Sequence, residues 1–205
     1  MSDALTDQEI VRGLRQGDRR AWEALCDQYS RRVWRYVARL IGGDREAVAD
    51  IFQETLLAVA KSGRAIGPDT NVWPWLAAIA HNQAALHWRK IYAGKRASRQ
   101  HDLTDQTPDL DPLERLLRAE KVELVRCLLA EMNADFVAIL TGKYLDGLSV
   151  KQLVELMGGS EESIRSKLAR ARRDFRARYQ RAAETQLDRP SPGRFELSPQ
   201  EGDCP

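Results

Sequence analysis

Cysteine, histidine and long apolar runs are all scarce in this chain of 205 residues. The three cysteines, Cys26, Cys127 and Cys204, are odd in number and far apart, so they draw neither a disulfide framework nor a CxxC metal or redox motif. A reducing cytoplasm is the expected compartment. No run of 18 or more apolar residues exists, which excludes a spanning helix of ordinary length. The opening Met1-Ser2-Asp3-Ala4 is acidic and is followed by no apolar core, so a cleaved secretory signal is not expected. A Gly-rich phosphate loop, GxSxG and HExxH are all absent. Of the three histidines, His81 and His87 stand six apart on one helix and face different sides, and no metal site follows from them. Neither a catalytic activity nor a cofactor is expected.

What the chain has is charge. Charged residues make up 30% of it and aromatics 7%, a balance that suits a helical protein and argues against a large buried sheet. The net charge of +2 hides a strong segregation. Ala84 to His101 holds Arg89, Lys90, Lys95, Arg96 and Arg99 and no acid. Asp102 to Glu114 holds five acids and no base, and Ser160 to Ala182 holds eight bases against three acids. Two basic blocks parted by an acidic stretch read either as solvated helix faces or as two polyanion-binding surfaces.

Helix signals recur along the chain. Thr6-Asp7-Gln8-Glu9 is a capping box, and Asp18 and Asp44 stand as N-caps for the next two helices. Trp22, Leu25, Tyr29, Val33, Val37 and Leu40 keep a 3.6-residue period up to Gly42-Gly43. Lys61 to Thr70 is a loop, and Asn71 caps a fourth helix that runs to about Ile91, with Pro74 in its first turn. Residues 94–111 lack apolar periodicity and read as a flexible linker. Asp111-Pro112-Leu113-Glu114 starts the second half. There, Ser149-Val150-Lys151-Gln152 is another capping box, and Gly158-Gly159 is a tight turn before Ser160. Ile164, Leu168, Ala171 and Phe175 form the inner stripe of the helix that follows, and Arg165, Lys167, Arg170, Arg173 and Arg176 its outer face. Two helices joined by a glycine turn, the second loaded with arginine, predict a DNA-binding helix-turn-helix. From residue 183 onward prolines and glycines accumulate, and a disordered tail is expected.

Two further clusters bear on binding. Asp50 and Glu54, at i and i+4, share a helix face with no nucleophile beside them, so an acidic patch for a basic protein partner fits better than acid–base catalysis. The helix from Asn71 carries Trp73, Trp75 and Trp88 among Asn82, Arg89 and Lys90. Trp75 is expected in the core. Trp73 and Trp88 are either packing residues or platforms for unstacked bases.

Five segments in this order carry a resemblance. They are Ile10 to Asp18 (IVRGLRQGD), Asp50 to Leu56 (DIFQETL), Trp75 to Asn82 (WLAAIAHN), Tyr144 to Ser149 (YLDGLS) and Ser160 to Arg172 (SEESIRSKLARAR). Together they resemble the extracytoplasmic-function (ECF) sigma factors of bacterial RNA polymerase. The resemblance implies an all-α fold of two small helical domains: region 2 at 1–93, a linker at 94–111, region 4 at 112–182 and a tail at 183–205. It implies core RNA polymerase and promoter DNA as partners. Asp50, Gln53 and Glu54 match the helix that docks on the clamp coiled coil of the largest subunit, and region 4 would meet the flap. The loop from Lys61 to Thr70 and a surface with His81, Asn82, Arg89 and Lys90 match the reader of the −10 element and a flipped base. Arg165, Ser166, Lys167, Ala169 and Arg170 match the recognition helix at the −35 element. Many relatives are held by an anti-sigma factor, and the resemblance admits such a partner. His81 stands where arginine is usual and Leu86 where an acid is common. The other reading is a stand-alone helix-turn-helix regulator that binds a palindrome as a dimer, although no dimerisation heptads are present.

Overall fold

In a computed structural model, residues 5–97 and 112–187 are described, and among them every regular element is helical. The elements are α1 (Asp7–Gln16), α2 (Arg19–Ile41), α3 (Arg45–Ser62), a 3₁₀ turn (Gly63–Ala65), α4 (Val72–Ala97), α5 (Pro112–Glu131), α6 (Ala134–Tyr144), α7 (Val150–Met157) and α8 (Glu161–Leu187). The starts of these helices follow from side-chain capping of the orphan N–H groups. The Thr6 hydroxyl accepts from the Glu9 N–H while the Thr6 N–H donates to Glu9 Oε2 at 2.8 Å. That bond holds the Glu9 carboxyl below its ordinary pKa. Asp18, Asp44 and Asn133 cap α2, α3 and α6. Ser149 and Gln152 close a second capping box on α7.

Two boundaries differ from expectation. Helix α4 continues to Ala97, into the stretch read as linker, and α8 continues to Leu187, past the expected start of the tail. Alanine, lysine, arginine, glutamate and glutamine at these ends are good helix formers, and neither extension contains a proline. The rest of the linker (98–111) and of the tail (188–205) lies outside the described residues.

Helices α1–α4 form one half and α5–α8 the other. The apolar residues of both join in one core running from Ile10 through Trp88 to Leu129, Leu153 and Ala171. Helix α4 is the shared element. It packs on α2 and α3 on one side and on α5, α6 and α7 on the other. No helix among the described residues is long and apolar enough to cross a membrane.

Candidate nucleic-acid interface and polymerase-docking face

The second half contains the helix-turn-helix. Leu153 and Met157 of α7 and Ile164 and Leu168 of α8 are buried together, and Gly158 (φ 75°) and Gly159 (φ 91°) make the turn in left-handed backbone that favours glycine. The fit is close: a Cβ on Gly142 in α6 would sit 2.9 Å from Leu153 Cδ2. With Ile164, Leu168 and Ala171 turned inward, the opposite face of α8 leaves Arg165, Ser166 and Arg170 exposed and Ala169 partly so.

The four polar candidates on α8 are not equivalent. Arg165 Nη2 is held by Glu161 at 2.8 Å one turn earlier, with both side chains well exposed. Lys167 leans toward α6 and lies 3.6 Å from Asp135. Arg170 has no ion pair among the described residues. Arg172, Arg173 and Arg176 surround a shallow hollow over Ala169 and extend the basic strip along the helix. Arg173 and Arg176 stood out in the sequence only as part of a charged outer face. The hollow they form depends on the small Ala169.

On α4, Asn82, Arg89 and Lys90 are exposed and lie on one strip with Leu86, at i, i+4, i+7 and i+8. His81 is not with them. It is 4% exposed, and its Nε2 lies 2.9 Å from the Leu129 carbonyl of α5. Burial pushes its pKa below the usual histidine range, and the carbonyl bond offsets this only in part. As placed, His81 cannot touch DNA. Trp73 and Trp88 are buried too. The Trp88 Nε1–H donates to the Leu40 carbonyl at 3.0 Å, and Trp73 packs edge-on to Tyr36 with Arg32 over its ring. The base-stacking reading of these two tryptophans fails in this arrangement because core neighbours cover their rings. Trp75 is half-buried against the core, as expected. The loop before α4 turns at Gly67–Thr70, buries Ile66 and exposes Gly67, Pro68 and Asp69.

Helix α3 turns Val48, Ile51, Thr55 and Val59 inward and leaves Asp50, Gln53 and Glu54 exposed together. The buried Thr55 hydroxyl is satisfied by the Ile51 carbonyl at 2.7 Å. Two features of this face escaped the sequence pattern. Leu57, one turn after Gln53, is 52% exposed among the polar groups. Trp34 of α2, 39% exposed, meets Phe52 edge-on at 5.3 Å. A large apolar residue at the surface looks like a core residue in the sequence, and only the packing reveals it. Among the described residues no group of three His, Cys, Asp or Glu side chains is placed to hold a metal.

Comparison with known proteins agrees with this geometry. Residues 25–93 match the family model for sigma-70 region 2, and residues 123–175 match that for sigma-70 region 4. The chain is 25% identical over 182 residues to the ECF RNA polymerase sigma-E factor of Haemophilus influenzae, covering 84% of this chain and 94% of that one. It is 29% identical over 177 residues to the ECF RNA polymerase sigma factor BldN of Streptomyces coelicolor, covering 83% of this chain and 64% of that one. Among solved structures it is similar to CnrH, determined in complex with the cytosolic domain of CnrY, at 20% identity and a TM-score of 0.45, covering 91% of this chain and 100% of that one. The region 2 match spans most of α2, all of α3 and most of α4, and the region 4 match spans the helix-turn-helix. The chain therefore belongs to the ECF sigma factors, which bind core RNA polymerase and direct it to promoters.

Proposed function

We propose that three surfaces divide this work. The α3 face of Asp50, Gln53 and Glu54 docks on the clamp coiled coil of polymerase. Its acidic rim supplies complementarity to a basic partner, and Leu57 with the Trp34–Phe52 pair supplies an apolar centre, the anatomy of a protein interface. The loop before α4, with Asn82, Arg89 and Lys90, meets the −10 element. Asn82 offers an amide for a base edge, and the two cations hold phosphates. The exposed face of α8 enters the major groove at the −35 element. Arg165 and Arg170 are the base readers, because a guanidinium can pair bidentately with guanine. Lys167, drawn aside by Asp135, and Arg172, Arg173 and Arg176, further along the helix, hold phosphates.

The observation that carries this reading is the joint presence, on one short chain, of an arginine-faced helix-turn-helix and a separate acidic docking helix. A stand-alone regulator has no use for the second. The protein acts as a binding and positioning factor in the cytoplasm, with the chemistry of RNA synthesis left to the polymerase. Run-off transcription from a promoter library with core polymerase tests the assignment. Transcripts from a defined promoter subset appear only when this protein is added. An unchanged transcript pattern refutes the assignment.

A further inference from the structure

The arginine-rich face of α8 carries an acid at its centre. Successive side chains turn by about 100° along a helix. Ile164, Leu168 and Ala171 are buried and fix the inward direction. Glu162 stands within about 30° of the opposite direction. It lies in line with Ala169 and Arg173 and is flanked by Arg165 and Ser166, at i+3 and i+4. Its side chain is exposed.

The start of α8 does not call on Glu162. The Ser160 hydroxyl accepts the Ser163 N–H at 3.2 Å and caps the helix. Glu161 holds Arg165 at 2.8 Å. Glu162 forms no ion pair among the described residues. An acid in the first turn is favoured by the helix dipole, but Glu161 already supplies one there. Against this small gain stands a cost. A face that enters a groove of DNA is surrounded by phosphates, and they repel a carboxylate. Glu162 therefore belongs on this face only where the DNA offers it a hydrogen-bond donor.

The major groove offers two kinds of donor, the amino groups of cytosine N4 and adenine N6. Adenine sets its N7 acceptor beside the amine, and this repels the second carboxylate oxygen. Cytosine sets no acceptor there. Guanine and thymine present acceptors and no donor on this edge, so a carboxylate rejects both. Reach agrees with chemistry. The N-terminal residues of a recognition helix are the ones that contact base edges. Residues three apart on a helix hold their Cβ atoms about 5–6 Å apart, and stacked base pairs lie roughly 3.4 Å apart, so Glu162 and Arg165 reach neighbouring pairs.

We infer that Glu162 is a specificity-determining residue of the −35 surface: it selects cytosine at one position of the element and lowers affinity for sequences without it. The inference rests on the assignment of α8 as the −35 reader.

Run-off transcription by full-length protein with core polymerase, on templates randomised at the −35 element, tests it. The wild-type protein prefers cytosine at one position by about five- to tenfold, the low end for a contact that is not bidentate. Glu162→Ala loses that preference, keeps the others, and raises transcription from the templates that the wild type rejects. Glu162→Gln keeps the size of the side chain and moves the preference at the same position to adenine, because an amide matches the N6 and N7 of adenine. A 2-pyrimidinone in place of that cytosine, which lacks only the N4 amine, weakens the wild-type protein and leaves Glu162→Ala unchanged. Circular dichroism shows the same helix content in all three proteins. An equal loss on every template in both variants overturns the inference and leaves Glu162 a partner of the helix dipole alone. Unchanged preferences in Glu162→Gln, with relaxed positions in Arg165→Ala and Arg170→Ala, overturn it while the −35 assignment stands. Failure of that assignment shows differently, as transcription that depends on no −35 base in any variant, the arginine variants included.

Discussion

Removing either exposed arginine of the recognition face distinguishes base reading from mere attraction to DNA. Arg165 and Arg170 sit in the first three turns of α8, both exposed, on a face whose backbone is fixed by buried Ile164 and Leu168. A bidentate arginine–guanine contact discriminates by about 1–3 kcal/mol, or roughly five- to 150-fold in affinity. Arg165 must first leave Glu161. That pair is exposed on both sides and contributes at most about 1 kcal/mol, so the net loss in Arg165→Ala falls in the lower part of the range. Arg170 has no such partner among the described residues, and Arg170→Ala spans the full range. The assay is run-off transcription with core polymerase on templates randomised at the −35 element. Each mutant should lose preference at one or two positions and keep it elsewhere. Lys167→Ala, whose ammonium leans on Asp135, should lower all templates alike. Equal losses on every template in both arginine mutants would refute base reading by this face.

Combining Gln53→Ala with Glu54→Lys disrupts the exposed acidic face of α3 and should weaken capture of core polymerase in a pull-down, with unchanged helical signal; so should Leu57→Asp. Leu153→Ala empties a fully buried site in the helix-turn-helix and should cost about 2–5 kcal/mol in chemical denaturation. His81 is held below its ordinary pKa by burial, with Arg89 adding to the effect, so the folded protein binds fewer protons than the unfolded chain. This contribution to folding stability is complete above the ordinary histidine pKa of about 6.5 and is lost as pH falls below it. Chemical denaturation should therefore show lower stability at pH 5.5 than at pH 7.5, and His81→Gln should reduce that difference.

Much of this molecule was legible because its signals are local. Thr6, Asp18, Asp44, Asn133 and Ser149 announce helix starts through hydrogen bonds to backbone only two or three residues away. The helix-turn-helix and the Asp50–Glu54 face follow from helical spacing in the same way. The seam between halves leaves no such trace. Helix α4 is buried on two sides, and its buried residues include Ala77, Ala80, His81, Ala84 and Ala85, too small or too polar to register as an apolar stripe. Gly42 and Gly158 look like ordinary helix ends, which they are, while their missing side chains also admit Arg126 and Asn71 from the other half. The resemblance carried His81 to the −10 surface together with its neighbour Asn82, yet one step along a helix turns a side chain by about 100°. That step puts His81 into the core.

The most direct test of promoter recognition through polymerase is a gel-shift at physiological salt, with promoter DNA and the protein alone or with core polymerase. Two separate basic surfaces bind weakly and with strong salt dependence when each acts alone. They bind tightly and specifically once a partner fixes their spacing. The expected result is a sequence-specific complex only when core polymerase is present. Nanomolar, sequence-specific binding by the protein alone would contradict the account and favour a regulator that works without polymerase.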